Sequence, residues 1–443
     1  MAQYDVLIVG AATSGAWFAH EMAKRGHRVK VIEKQSFRDF GRKYDIFHIA
    51  RADFDRFELP LAEPGDGCWA FEFHDFCTSS PTNRYPKRAK GHVVGLHMHE
   101  YIVKMNQWAQ EAGAEFAYEW TFEDFLWEDG KIAGVRCHTP SGMEEIRAKV
   151  VVDCSGIPSV ARRKLPDGYG VENFPITPED MFYVILWYVQ LKHPSDYLTG
   201  SCGWPFYKTW IAPQADPTGA ILGVGATGSF AHGEAVFADQ VKTFDLPEHT
   251  VTRREQGCTP YCRSPYSFVA DHFVVAGDAA CLTKPDCGEG VTSSMVLMEQ
   301  AVQVLDEALR EDDLSQSRLW PINVAYNRGQ GAEFSEIRAL YTRAVRATKE
   351  EFDYYFRYSL IFKDEQDPLV LEGAAETRRI IGRMLLGFVT GKLRGRTLLG
   401  LLQGMRLGDS LKKHYMAFPA TPDAMADWVH TAEKLWKTVG KMQ

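Results

Sequence analysis

The chain has no run of about 20 apolar residues, so the sequence predicts no membrane-spanning helix. It has no basic leader ahead of an apolar stretch, and no secretory signal is expected. Positive charge is in deficit. Lys and Arg number 50 against 58 Asp and Glu, and the net charge of -8 argues against nucleic acid as a partner. Nine scattered cysteines, an odd number, do not form a disulfide framework and fit a reducing cytoplasm. Neither a metal-ligand cluster nor a Ser/His/Asp order stands out, so no metal is expected. What is present is ordinary in bulk but rich in rings. The 443 residues suffice for two or three domains, and 45% hydrophobic with 24% charged residues is a globular composition. The 11 Trp, 18 Tyr and 26 Phe imply wide apolar surfaces, either core or ligand pocket.

The first 33 residues organise the rest. Tyr4 to Val9 is a continuous apolar run of strand length. It stops at a small-residue turn, Gly10-x-Ala12-x-x-Gly15. A helix is expected from Ser14 to about Arg25, ended by Gly26, and Arg28 to Glu33 reads as a second strand. This is a βαβ unit with a dinucleotide fingerprint. Backbone N–H groups at the helix start face a pyrophosphate. Glu33, 18 residues after Gly15, stands where a carboxylate accepts from a ribose diol. Gly10, Ala12, Ser14, Gly15, Glu33 and Lys34 are the cofactor-binding candidates here, and Arg42 lies where a second pyrophosphate contact could come from.

Beyond Glu33 the chain is irregular to about Gly95, too long for a loop and expected to carry short elements of its own. A helix follows from about His99 to Glu111, then a β-meander over 114–149 with turns at Asp129-Gly130 and Ser141-Gly142. Lys149 to Gly156 reads as a buried strand closing on a small-residue turn. Met181 to Leu191, Trp204 to Ala212 and Ala220 to Gly225 read as neighbouring strands of an antiparallel, aromatic-rich sheet. His272 to Ala280 returns to the first unit, and Gly290 to about Leu309 is a helix. The remainder is helical in pattern. The expected domains are 1–164 with 269–322, then 165–268, then 323–443.

Three later stretches resemble one group of flavoproteins. Gly277-Asp278-Ala-Ala, then Pro285-x-x-Gly288-Glu289-Gly290, look like the para-hydroxybenzoate hydroxylase fold group, as does Asp153-Cys-Ser155-Gly156-x-x-Ser159-x-x-Arg162. The resemblance implies FAD. Asp278 would meet its ribityl or ribose hydroxyls, the turn at 288–290 would cap the flavin ring, and the following helix would point its N-terminus at the pyrimidine end. Ser155, Gly156, Gly277, Asp278, Gly288, Glu289 and Gly290 join the cofactor-binding set on this basis. Cys281 stands where hydroxylases of the group carry His, and the Gly-Glu-Gly form resembles the geranylgeranyl reductase family, which saturates isoprenoid double bonds. Tyr207-Lys-Thr-Trp210-Ile-Ala-Pro213 is similar to a motif bordering that family's substrate cavity. The family's Cys-Gly segment after the second strand is absent, and Leu96-His-Met-His99 replaces an expected Arg.

The resulting expectation is an α/β fold. It comprises a Rossmann-like FAD-binding domain, an antiparallel α+β substrate domain and a helical C-terminal region. FAD would reduce carbon–carbon double bonds of an apolar isoprenoid or lipid-like substrate. Trp204, Phe206 and Trp210 are pocket-wall candidates, and Tyr207 or Cys287 the proton donor. The electron donor is NAD(P)H, ferredoxin or flavodoxin. Alternatives are an aromatic or lipid monooxygenase using NAD(P)H and O₂, and a quinone-linked electron-transfer flavoprotein. Gly223-x-Gly225-x-x-Gly228 lacks a following strand and acid, so a glycine-rich strand end is expected there rather than an NAD site. Cys258-x3-Cys262 reads as ordinary thiols, and His97 and His99 as surface residues or phosphate contacts. The basic, apolar stretch 378–413 suits either an anionic membrane surface or a helical cap. A cytoplasmic protein, peripheral at a membrane if that stretch docks, is the expected location.

Overall fold

The computed structural model describes residues 3–42, 44–193, 200–204, 207–244, 246–344, 347–361 and 373–440. The chain opens with β1 (Tyr4–Val9), α1 (Thr13–Lys24) and β2 (Val29–Glu33). A first excursion carries β3 (Ile46–Ala50), α2 (Arg51–Arg56), β4 (Trp69–Ser79) and β5 (Lys87–His97). Helix α3 (Met98–Glu111) leads back to β6 (Glu115–Tyr118), β7 (Thr121–Glu128), β8 (Lys131–Thr139) and β9 (Gly142–Asp153). A second excursion carries β10 (Met181–Leu191), β11 (Gly200–Trp204), β12 (Tyr207–Pro213), β13 (Gly219–Thr227), α4 (Phe230–Phe244) and β14 (His249–Pro260). Strands β15 (Val269–Ala270) and β16 (Phe273–Val275) return the chain to α5 (Val291–Glu311). Helices α6 (Gln316–Leu319), α7 (Pro321–Tyr326), α8 (Ala332–Ala344), α9 (Lys349–Arg357), α10 (Gly373–Val389), α11 (Gly395–Met416) and α12 (Met425–Val439) follow.

The first sheet runs β15-β16-β9-β1-β2-β6, with β7 and β8 attached through β9. Its centre is parallel: β1 pairs with both β2 and β9, and β9 with β16. Consecutive residues Val6, Leu7 and Ile8 are all fully buried, so both faces of β1 are covered. That explains why the sequence there is continuous rather than alternating. Helix α1 contributes Trp17, Phe18, Ala19 and Met22 to this core, and the Trp17 indole N–H donates to the Phe57 carbonyl at 2.9 Å.

The second sheet runs β14-β10-β13-β12-β11-β4-β5-β3. It is antiparallel except where β11 meets β4. The period-free segment after Glu33 thus supplies three of its strands. The sequence reads one strand from Trp204 to Ala212; the structure has two, and Trp204 of β11 pairs with Tyr207 of β12. Pro205, between them, has no N–H to give a central ladder. One face of the sheet, with Ile185, Val189, Leu222 and Val224, packs on Phe237 of α4. The alternate positions, Phe182, Val184, Leu186 and Tyr188, turn the other way.

In the C-terminal region α11 lies on α8 through its glycines. A Cβ at Gly404 would come 3.1 Å from the Leu340 carbonyl oxygen, and one at Gly408 would come 2.9 Å from that of Glu336. The glycine face is therefore the buried one, and Leu399, Leu402 and Met405 point outward with Ile381, Leu385, Leu386, Phe388 and Val389 of α10. No helix among the described residues is long and apolar enough to cross a membrane.

Candidate active site

The fingerprint turn is closed by main-chain proximity. Gly10 has φ +106°, and a Cβ there would meet the Cys154 carbonyl oxygen at 2.4 Å; one at Gly15 would meet the Gly10 oxygen at 1.9 Å. Only glycine fits either place. Ala12 caps α1 without a side-chain hydrogen bond, and the first turn holds no acid. The orphan N–H groups of that turn thus remain available to an anion. The Glu33 carboxylate accepts from the Ala11 N–H at 3.1 Å and the Gln35 N–H at 2.9 Å. It fixes the turn and keeps spare lone pairs. Lys34 and Arg42 are exposed, and the Arg42 Nε donates to the Arg38 carbonyl at 2.6 Å. Arg42 lines a cleft of about 540 Å³ with Arg253, Arg254 and Glu255.

The three motifs meet. Gly10 abuts Cys154 and Ser155, and a Cβ on Gly277 would lie 2.8 Å from the Ser14 hydroxyl oxygen. Arg162 joins the second motif to the third. Fully buried, it donates from Nε to the Ala279 carbonyl at 2.9 Å and from Nη1 to the Glu172 carbonyl at 2.7 Å. Its Nη2 reaches the Ser159 hydroxyl at 3.2 Å, and its backbone N–H donates to the buried Asp153 carboxylate at 2.7 Å. Burial, partly offset by these bonds, raises the Asp153 pKa. Asp153 also accepts from the Ser155 N–H, and the Ser155 hydroxyl accepts from the Val160 N–H. Gly156 has φ +75°.

Asp278 lies at the centre of this arrangement. It is half-buried, and no hydrogen bond reaches its carboxylate among the described residues. Burial, and then the charge of Glu289, raise its pKa to about 6. A Cβ on Gly290 would sit 3.4 Å from its Oδ1. A carboxylate in such a place lacks donors, and hydroxyl groups of a ligand would supply them. Glu289 turns onto its own helix, accepting from the Thr292 N–H at 2.7 Å. The start of α5 is therefore capped by a carboxylate. The loop holding Gly288 is pinned at both ends. The Tyr261 hydroxyl donates to the Pro285 carbonyl, and the Lys284 N–H donates to the Glu289 carbonyl at 2.7 Å.

The second sheet presents its Phe182 face to this loop. Phe182 packs 3.5 Å from where a Gly288 Cβ would be, and its ring fills the space above Gly225. Trp210 covers Gly223, and Tyr44 covers Gly257, in the same way. The glycine-rich strand end is thus a hollowed face seating rings, and Gly223 and Gly225 lie within β13 rather than at a phosphate turn. Lys208, two residues from Trp210 on β12, acts electrostatically on both His48 and Cys287. His48 itself is exposed on β3. Burial pushes the Cys287 thiol up to about 11, so it stays protonated near neutrality. Sequence reasoning missed His48 and Lys208. The signal for Lys208 was its position two before Trp210, which shares a strand face.

Of the other candidates, Phe206 lies outside the described residues, as do the side chains of Trp204 and Tyr207. Trp210 is half-buried, with the Lys208 ammonium 5.4 Å from its ring centre. His99 is buried and bonded to the Phe40 carbonyl at 2.7 Å, and His97 pairs with Asp45 at 3.2 Å. Cys262 and Cys281 line one small cavity, and Cys281 fills a left-handed position at φ 55°.

No protein-family model matches the chain. It is 21% identical over 448 residues to the digeranylgeranylglycerophospholipid reductase of Sulfolobus acidocaldarius, with 96% of each chain covered. A solved geranylgeranyl bacteriochlorophyll reductase-like protein of Thermoplasma acidophilum superposes with TM-score 0.72 at 16% identity, over 88% of this chain and 99% of that one. A flavin-dependent brominase superposes at TM-score 0.61 and 16% identity, over 98% and 100%. The structural likenesses establish the fold. The fold-group resemblance covers about residues 1–325; the similarity to the first of these relatives extends along nearly the whole chain.

Proposed function

We propose that the chain is an FAD-dependent oxidoreductase that reduces carbon–carbon double bonds of an apolar isoprenoid or lipid-like substrate. One observation carries the cofactor: three separate motifs converge on Asp278, a half-buried carboxylate without a donor among the described residues, beside the uncapped start of α1. The similarity to a digeranylgeranylglycerophospholipid reductase supports the reaction class. Asp278 would accept from ribityl or ribose hydroxyls, Glu33 from the ribose diol, and the N–H groups of Thr13, Ser14 and Gly15 would bind pyrophosphate. Ser155, Gly156, Gly277, Gly288 and Gly290 give close backbone approach, with Lys34 and Arg42 as outer phosphate contacts. Bound and reduced, FAD supplies a hydride.

The residues on the substrate side then have three tasks. Trp204, Phe206 and Trp210 wall off water and hold an apolar chain. Cys287, kept as a thiol, carries a proton to the neighbouring carbon, and Tyr207 is the second candidate for that role. Lys208 stabilises the thiolate left behind, since its charge already acts in that direction on Cys287. Electrons arrive from NAD(P)H, ferredoxin or flavodoxin. Anaerobic reduction followed by polyprenyl substrates tests the reading. Flavin reoxidation with a saturated product is expected. Hydroxylated product with O₂ uptake coupled to NAD(P)H, or reoxidation by quinone without alkene turnover, would overturn it.

The substrate class also calls for access to lipid. Among the described residues, nine of the fourteen exposed large apolar side chains lie on α10 and α11, interleaved with Arg378, Lys392, Arg396 and Arg406. Such a surface fits the peripheral binding of an anionic bilayer from the cytoplasm. Co-sedimentation with phosphatidylglycerol vesicles, weaker with phosphatidylcholine and lost in L385E/L402E, is the expected result. Equal sedimentation of the double variant would refute the docking surface.

A further inference from the structure

On the back of β4 and β5, away from Phe71 and Phe73, three side chains with metal-ligating atoms come together. Glu72 and His74 are two apart on β4, and His92 lies across from them on β5. The pairing register shifts between Phe73 and Asp75, where β5 bulges: Gly91 and His92 together oppose the single residue His74. A bulge re-aims a side chain, and here the two imidazole rings come to 4.3 Å between centroids. The His92 Nε2 contacts the Glu72 Oε1, and the His74 Nε2 stands 3.7 Å from the same oxygen. All three ligand atoms fall within 4.8 Å of one another.

We infer that Glu72, His74 and His92 bind a divalent transition-metal ion of the Zn²⁺ class. Two ring nitrogens directed at one carboxylate oxygen serve it poorly as hydrogen-bond donors, because both compete for a single atom. They serve a common cation well. An ion held at about 2.0–2.2 Å from each needs its ligand atoms roughly 3–4 Å apart, which small side-chain rotations reach from here. Imidazole with carboxylate suits Zn²⁺, Cu²⁺, Ni²⁺ and Co²⁺ and disfavours Mg²⁺ and Ca²⁺. Three protein ligands leave a fourth position to water. The ion would clip β4 to β5 at the irregular point in their ladder, close to where β4 joins β11 in the parallel seam of the second sheet.

The test uses the full chain, freed of any histidine tag and treated with chelator, titrated with Zn²⁺ by calorimetry and with Co²⁺ by visible absorbance. One saturable equivalent is expected, with a Co²⁺ ligand-field band and a raised melting temperature. H74A and H92A should each weaken binding on the order of 100-fold or more, beyond the loss caused by disturbing an outer ligand partner. H74Q, which keeps size and polarity, guards against a folding artefact, and each variant's circular dichroism is checked. Retention of full affinity in the H74A/H92A double variant, or no saturable uptake by the native chain, would overturn the assignment.

Discussion

Asp278→Asn should make the FAD-free protein more stable and the loaded protein less able to keep its flavin. The magnitude follows from the site. The carboxyl moves from an ordinary 3.8 to about 6, close to 2 pH units, which corresponds to about 3 kcal/mol. Because the folded pKa lies above the unfolded one, the folded state holds the extra proton. Stability is therefore unaffected below pH ~4, falls as pH rises from about 4 to 6, and stays lowered above that. Asparagine removes the charge and with it the penalty. For a chain of 443 residues unfolding as one unit, about 3 kcal/mol shifts the melting temperature by roughly 3 °C. FAD retention should move the other way: a hydrogen bond to a charged acceptor is worth about 1.5–3 kcal/mol, or about 10- to 150-fold in affinity. The assay is a pair of melting series on flavin-free protein from pH 4 to 8, with FAD affinity from flavin fluorescence. E289Q adds a control, since removing that neighbouring charge should lower the Asp278 pKa and shrink the effect. If D278N melts no higher than the native protein at pH 8, or gains equally at pH 4, Asp278 is not the strained carboxylate described.

The other expectations concern single residues. Glu33→Ala removes the acceptor for two backbone N–H groups, so the FAD-to-protein absorbance ratio after gel filtration should drop, whereas E33Q should keep most of it; full flavin in E33A would contradict the assignment. Arg162→Leu leaves the Ala279 and Glu172 carbonyls without their donor and should cost about 2–6 kcal/mol, at ~1–3 for each orphaned acceptor, read from urea unfolding. R162K should rescue little, because one ammonium cannot span the Ala279 and Glu172 carbonyls together. Cys287→Ala should reduce alkene turnover at least tenfold with FAD content unchanged; an undiminished rate would pass the proton-donor role to Tyr207.

The βαβ opening was legible almost residue by residue. Its signals are local: an apolar run, three small residues at fixed spacing, and a carboxylate at the second strand's end. The chain after Glu33 was not legible, because β4 and β5 carry two register shifts that break the alternation a strand is recognised by. Trp204 to Ala212 looked like one strand because aromatic density outweighed Pro205. Arg162 closes the second motif in sequence, but spacing does not show that its contacts are all internal; that depends on burial. Only the fold, likewise, shows that the Glu289 side chain returns to its own helix. His48 and Lys208 come from different excursions of the chain, and the sheet that unites them is assembled across more than 150 residues of sequence.

The bonds made by Arg162 have a kinetic consequence. They tie the loop after β9 to the turn after β16 within the protein itself, without help from any ligand. The walls that receive a flavin are thus set before it arrives, and little chain entropy is left to be lost on capture. Loading of the FAD-free chain should then follow a single bimolecular phase whose rate rises linearly with flavin concentration, with no slow ordering step behind it. Severing Arg162 would convert that encounter into coupled folding and binding, and a concentration-independent phase would appear.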